Sequence, residues 1–573
     1  MSSDCKTHRL SLLDFPQEVL LEIFDRLPGA APGPADWRQI PGDDYLKTIQ
    51  ALRLVCRRLC EATSHLLLPE LRVFISPESL RRADLLTWNP LIAAGMRIVR
   101  VSLAYRPAEI ADTPSRFRDL HLGLIRTLER SCDFYTEFLD EIPEDELEGD
   151  ETAISEALGT YSEISHAWRE WQRVGGGNKG RWFTTGATDD QKERYEDYQK
   201  ILSQSYEEYC RKHREQKELL ETGSFVSSLV ESISRTSSLS SLVFVDYPDM
   251  DPEDFTFRDS LTVLANNPDT LRQVLVSAHA WRVIENQKSP QDLPPAELLW
   301  KLPIALQAVA GARFAHFSAT PIPLLGNFEK LCPPAHQGEG GSGGLSTNWS
   351  PLTGSFRTLR SVHISAGNCG VLRYEHMSTK NQECVNGYIS TTLSLPSLEE
   401  LDINLYCLRI QRGQSGPVHH TADMYNPSGS VFAAATYPNI RKLAISGVTF
   451  SEAELVRFFD GICVRIQNLH LSNIGVSGGG GWTNPLDVLR SKIVRSSEAG
   501  RKCHVALSAP CGGGFDMVED RRPDDEAEML QRWADGILSE EELLCKAAAD
   551  YVLGKTKVNP LADLEGHEHD WCG

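Results

Sequence analysis

The residues of this chain that could carry bond chemistry are scattered rather than gathered into motifs. It has fourteen cysteines, with no repeated spacing and no C-x-x-C pair, so no zinc ribbon or dithiol redox motif is written locally. Thiols dispersed in this way suit a reduced setting, cytoplasmic or nuclear, better than a disulfide framework. Cys56 and Cys60 lie one helical turn apart, where packing as small hydrophobes is the plainer expectation. His567, His569 and Cys572 crowd together in sequence, but a closed structural zinc site needs four ligands and this terminal stretch supplies three at most. His419 and His420 read as a loop pair from their glycine and proline neighbours. The glycine-rich stretches Gly338 to Gly344 and Gly478 to Gly481 lack the Lys-Ser/Thr of a phosphate loop and read as connections. No H-E-x-x-H is present. No catalytic residue, metal or cofactor is therefore expected. A constellation assembled from distant residues, an enzyme hidden in the middle region, stays open as an alternative.

Composition narrows the remaining classes. With 573 residues, the chain should carry several structural units or one elongated repeat array. Hydrophobic residues make up 41 %, enough for a sizeable core. A formal net charge of −21 repels phosphate, so nucleic acid is not an expected partner. No apolar run reaches the roughly 18 residues of a membrane span, so no membrane partner is expected either. Met1 to Arg9 is polar and lacks a secretory core. The formal sequon Asn348-Trp349-Ser350 is accordingly not expected to be glycosylated.

The elements are more informative than the isolated side chains. Pro16 suits the first position of a helix, where its missing N–H is no loss. Glu18 follows in the first turn, where a negative charge favours the helix start. Val19, Leu20, Ile23, Phe24 and Leu27 then recur at helical spacing, and Pro28-Gly29 ends the helix. After a Pro/Gly/Ala linker to Gly42, Leu46, Ile49, Leu52, Cys56, Leu59 and Thr63 mark a second stripe, with Val55 beside it and Arg53, Arg57 and Arg58 around it. Two helices this short bury little surface alone, so such a unit usually borrows core from a partner or neighbour.

Leu13-Asp14-Phe15-Pro16-Gln17-Glu18-Val19-Leu20, followed in order by Leu52-Arg53-Leu54-Val55-Cys56-Arg57-Arg58-Leu59, closely resembles the F-box motif. Phe15 stands where leucine is usual, and Leu59 where a larger aromatic is common. The linker is also longer than in most members; loop closure grows only slowly more costly with length. The resemblance implies a docking module for the Skp adaptor subunit of a Skp–cullin–F-box ubiquitin ligase. By matching position it implies partner contacts at Leu13, Pro16, Val19, Leu20, Ile23, Phe24, Leu52, Val55, Cys56 and Leu59. The apolar face would then be an interface rather than a core.

Farther along, residues 131–168 contain no Lys or Arg, and Glu137 to Glu151 is dense in carboxylates without the spaced ligands of a calcium loop. The expectation is a solvated, disordered stretch. Gly175 to Gly177 marks another break. Residues 189–222 read as a long helix with Tyr195, Tyr198, Leu202, Tyr206 and Tyr209 on one packed stripe.

A short pattern of apolar residues at i, i+3 and i+5 then recurs: Ile98, Val101, Leu103; Leu239, Leu242, Phe244; Leu271, Val274, Val276; Phe314, Phe317, Ala319; Leu359, Val362, Ile364; Leu398, Leu401, Ile403; Ile440, Leu443, Ile445; and Ile466, Leu469, Leu471. Val505 and Leu507 suggest one strand more. The last two residues of each set alternate as a half-buried strand requires. Helical patterning lies between sets, as at Ser451 to Gly461, where Ser451 and Glu454 form a capping box. A strand plus a helix, repeated, is the leucine-rich solenoid unit. The spacing from Ile440 to Ile466 is 26 residues, but others reach 45, so inserted loops are expected. The combination resembles fungal F-box proteins with degenerate leucine-rich repeats, to whose tails Tyr551-Val552-Leu553 and Asn559-Pro560-Leu561 are also similar.

The expected fold class is α/β, an N-terminal helical F-box followed by an irregular leucine-rich-repeat-like solenoid with helical insertions. The expected divisions are 10–75 for the F-box, 96–235 for a first strand and the acidic insertion, 236–515 for the repeats and 516–573 for a helical tail. The resemblance implies a non-catalytic, substrate-recruiting adaptor that binds the Skp subunit, through it cullin, and an unknown target protein. A non-ligase interaction scaffold is the alternative from another class.

Overall fold

The computed structural model describes residues 15–25, 43–137, 150–171, 188–248, 250, 252–257, 260–285, 292–310, 314–323, 327–334, 348–366, 378–408, 425–498, 500, 502–517 and 539–562. Leu13, the acidic stretch 138–149, the glycine runs 175–177 and 338–344, His419, His420, His567, His569 and Cys572 lie outside the described residues.

Nine strands form one sheet: β1 (Glu70–Val73), β2 (Ile98–Ser102), β3 (Ser241–Val245), β4 (His316–Ala319), β5 (Ser361–Ser365), β6 (Glu400–Asn404), β7 (Lys442–Ser451), β8 (Asn468–Ser477) and β9 (His504–Ser508). Each pairs in parallel with the next in chain order. Parallel neighbours require a crossover, and here helices supply it. Helices α1 (Gln17–Asp25), α2 (Asp43–Val55) and α3 (Arg57–Thr63) precede the sheet. Helices α4 (Pro77–Thr87) and α5 (Pro90–Ala93) join β1 to β2. The long passage to β3 holds α6 (Ala108–Ala111), α7 (Pro114–Glu137), α8 (Asp150–Glu170), α9 (Asp189–Glu221) and α10 (Ser224–Ile233). Next come α11 (Val263–Asn266), α12 (Pro268–Val276), α13 (Trp281–Glu285) and α14 (Leu298–Ala310) before β4. One helix then lies in each later crossover: α15 (Ser350–Ser355), α16 (Thr379–Leu393), α17 (Gly429–Ala434), α18 (Glu452–Gly461) and α19 (Thr483–Glu498). Helix α20 (Glu540–Val552) follows β9.

Two apolar ladders run across the whole sheet. One carries Leu71, Val99, Leu242, Phe317, Val362, Leu401, Leu443, Leu469 and Val505. The other lies two residues on, from Val73 through Ile403 to Leu507. Both join one continuous core with Leu229, Leu302, Tyr388, Phe458, Leu489 and Val552 of the crossover helices. The helices thus cover the face the ladders point to, and the alternate strand residues point to the other, open face.

Three expectations need correction. The set Leu271, Val274, Val276 is not a strand but lies in α12. Asn267 caps that helix, its Oδ1 accepting from Asp269 N at 3.1 Å and Thr270 N at 3.0 Å, and Pro268 opens it; cap and proline turn an i, i+3 interval into a helical one. The sheet also begins earlier than expected, at β1, within the stretch assigned to 10–75; Leu68, Leu71 and Val73 have the same interval as the later sets. In β2 the residues in phase with the ladders are Met96, Val99 and Val101, so Ile98 faces the open side. Ile98 is one residue from Val99, and side-chain period 2 puts such neighbours on opposite faces. The helix expected in the tail is α20, and it packs onto the body. Cys545, Ala548 and Val552 join the main core, Tyr551 Oη donates to Asp487 at 2.6 Å, and Asn559 donates to the same carboxylate at 3.0 Å.

The passage between β2 and β3 has a second core, built from its own α7, α8 and α9 together with α12 of the next crossover. The expected long helix is α9, started by a capping box at Thr188 and Gln191. Leu202 and Tyr209 are fully buried in that second core, with Tyr195, Tyr198 and Tyr206 packed against it. Tyr206 Oη donates to Ala111 O at 2.7 Å, tying α9 to α6.

Candidate functional site

The N-terminal helices divide their apolar residues between an inside and an outside. Pro16 precedes α1. At Cys56 the backbone is extended (φ −161°, ψ 163°), so α2 stops and α3 starts in a new direction. That bend lets Leu20, Phe24, Tyr45, Ile49, Leu59, Ala62 and Leu66 close into a small core. The Arg58 guanidinium donates to Phe15 O at 2.5 Å and holds α3 against the start of α1.

The ten positions implied as partner contacts therefore separate. Leu20, Phe24 and Leu59 are at most 3 % exposed; they hold the unit together and present nothing to a partner, because the three-helix turn points them inward. Leu52 and Cys56 are half-buried against this core. Pro16, Val19, Ile23 and Val55 remain outside, Val19 at 37 %, Ile23 at 36 % and Val55 at 66 %. Leu13 lies outside the described residues. Sequence reasoning missed Leu54, which is 88 % exposed beside Val55. Its signal was its place off the Leu52–Cys56–Leu59 stripe.

The second candidate surface is the open sheet face. Along β1 and β2 it carries Glu70, Arg72 and Arg100. Arg72 Nε donates to Glu70 Oε1 at 2.7 Å, and Arg100 donates through Nε and Nη2 to both Glu70 oxygens at 2.9 Å. Burial opposes ionisation of Glu70, but the hydrogen bonds and charges of Arg100 and then Arg72 outweigh it and hold the carboxyl below its ordinary value. Ile98, Val243 and Val245 form an apolar patch beside these charges. Farther along the register the face turns polar. His363 Nδ1 lies 2.9 Å from Asp402 on the adjacent strand, and Lys442 Nζ lies 2.7 Å from Glu400. Ser365, Asn404, Ser446, Ser472 and Ser508 make one transverse row. These partners were not singled out from sequence. They occupy the alternate positions inside the strands, a signal that becomes readable once the apolar ladders are in register.

Among the described residues, no group of three or more His, Cys, Asp or Glu side chains is placed to hold a metal ion. No described helix is long and apolar enough to cross a membrane. Comparisons with protein-family models, with curated proteins and with solved structures find no match to this chain. The arrangement offers two candidate surfaces of different character, one small and apolar, one broad and largely polar.

Proposed function

We propose that this chain is a substrate-recruiting adaptor of a Skp–cullin–F-box ubiquitin ligase. Residues 10–75 act as the F-box and dock on the Skp subunit, which in turn binds cullin. The sheet body acts as a degenerate leucine-rich repeat domain whose open face holds a target protein. The adaptor breaks no bond itself; it raises the effective concentration of target near a ubiquitin-charged enzyme.

The observation that carries this reading is that Val19, Ile23, Leu54 and Val55 are apolar and point outward. They lie on the same helices that carry the two motif blocks, whereas Leu20 and Leu59 of those blocks are buried in an internal core, with Phe15, Leu52 and Cys56 packed against it. Residues that neither fold the unit nor favour water are what a partner surface requires.

The test is co-expression with a Skp adaptor and size-exclusion of the mixture. A one-to-one complex is expected. The double substitution Val19→Asp with Ile23→Asp should abolish it while changing folding stability by no more than about 0.5 kcal/mol, the range for exposed sites. Separate elution of the unsubstituted proteins, or a complex indifferent to the double substitution, rejects the docking assignment. A Skp complex that never recruits cullin would instead identify a non-ligase scaffold.

A further inference from the structure

At the C-terminal ends of β1–β3 the open face sinks into a cleft of about 300 Å³. Its polar side is formed by Arg72 and Arg100, and its apolar side by Phe74, Val245, Tyr247 and Pro248. That volume sits at the low end of the roughly 300–1,000 Å³ of ligand pockets, room for a chain end rather than a folded element.

The two guanidiniums are aligned but not used up. Arg72 and Arg100 are register partners on adjacent strands. Glu70, its side chain 6 % exposed, anchors Arg72 through Nε alone and Arg100 through Nε and Nη2. A guanidinium carries five N–H donors, so the Nη groups of Arg72 and the Nη1 of Arg100 stay uncommitted among the described residues. Arg72 is still 56 % exposed. Beside it, Tyr247 is an aromatic ring left 62 % exposed, with its backbone pinned because Ser102 Oγ donates to Tyr247 O at 2.6 Å.

We propose that this cleft captures the C-terminal carboxylate of a partner polypeptide whose last side chain is apolar. Two guanidiniums and one carboxylate leave a single positive charge, which one further carboxylate neutralises. A phosphate, at about −1.5 to −2 charges, would leave excess negative charge in a chain already at −21. A planar carboxylate also matches the guanidinium fork. In a chain end the carboxylate and the last side chain leave the same Cα, which suits a cleft whose cationic and apolar sides adjoin. Capture of a terminal carboxylate is a recurring mode of peptide recognition. The assignment rests on reading the open face as the target surface.

The test uses the full chain and fluorescein-labelled Gly-Ser-Gly-Ser-Leu in three forms, read by fluorescence anisotropy. The first has a free terminal carboxylate, the second a terminal amide, and the third an amide with phosphoserine before the leucine. The free acid should bind, and the plain amide at least tenfold more weakly. Arg72→Ala should weaken the free acid at least tenfold, with the fold kept because Glu70 retains both bonds from Arg100; thermal melting checks this. Tyr247→Ala should weaken it severalfold. No saturable binding, equal binding of acid and amide, or indifference to Arg72→Ala overturns the proposal. Tightest binding by the phosphoserine amide overturns it in favour of a phosphate site. The same variants should retain the Skp complex. Loss of peptide capture with that complex intact defeats this proposal alone, whereas an absent Skp complex with capture intact defeats only the ligase reading.

Discussion

The N-terminal helices and the sheet body solve burial in opposite ways. Helices α1 to α3 enclose seven buried apolar residues and leave Leu54 and Val55 in water. The body instead stacks strand on strand in chain order, so that every ladder residue is covered by its neighbours and by a crossover helix. A unit as small as the first gains little from its own core. The second gains with each added repeat, because its core is continuous. The difference bears on the adaptor proposal: on that reading the small unit is completed from outside, while the body buries its ladders by itself and exposes a polar face.

Three substitutions probe that contrast, beginning with the largest effect. Trp281 is fully buried in the main core, with its Nε1 donating to Leu103 O at 2.8 Å and its N donating to Asp246 at 2.9 Å. Trp281→Ala should cost about 3–5 kcal/mol, measured as a shift of the denaturant midpoint of the body. A loss under about 1 kcal/mol would mean that this part of the core is dispensable.

Leu20→Ala should cost about 2–5 kcal/mol by the same cavity argument, but locally. Hydrogen exchange across residues 15–66 should accelerate while the body's midpoint stays put. If both regions lose stability together, they form one cooperative unit and the contrast fails.

The smallest effect concerns acid. His121 and His279 are fully buried in the body, their rings 6.1 Å apart. Burial pushes His121 down to about 4, against the backbone hydrogen bonds that favour its charged form. Burial, followed by the nearby His121 and Arg106, pushes His279 down to about 3. Both are therefore neutral in the folded chain at pH 7, while the unfolded chain takes up protons below about 6.5. Their contribution is fully present above that value and is lost as pH falls toward 3–4. His279→Leu should reduce the fall in stability between pH 7 and pH 5 by on the order of 2 kcal/mol. Parallel pH profiles of variant and parent would remove the histidine from the account.

Much of this organisation was legible from residue types. Leu401 with Ile403 and Leu443 with Ile445 each mark a strand because alternation is a local property of a half-buried sheet. Ser451 with Glu454 marks a helix start because both capping partners lie within one turn, and the structure forms both bonds. The candidate surfaces were less legible. Val19 and Leu20 are equally apolar neighbours on one helix, yet one faces out and the other in, and nothing within α1 distinguishes them.

Sequence by itself determined the kinds of element and most of their places: short alternating strands, crossover helices, the long tyrosine-striped α9 and the amphipathic α1, but not the break at Cys56 that divides the expected second helix into α2 and α3. Those follow from periodicity and capping, which act over a few residues. Only the tertiary structure decided that Leu271 to Val276 is helical, that the sheet starts at Glu70, that Ile98 faces the open side, and that Glu70 gathers Arg72 and Arg100 from two strands. An i, i+3 interval serves a helix and the approach to a strand alike, and a face is assigned only when register with a neighbouring strand fixes which side is buried.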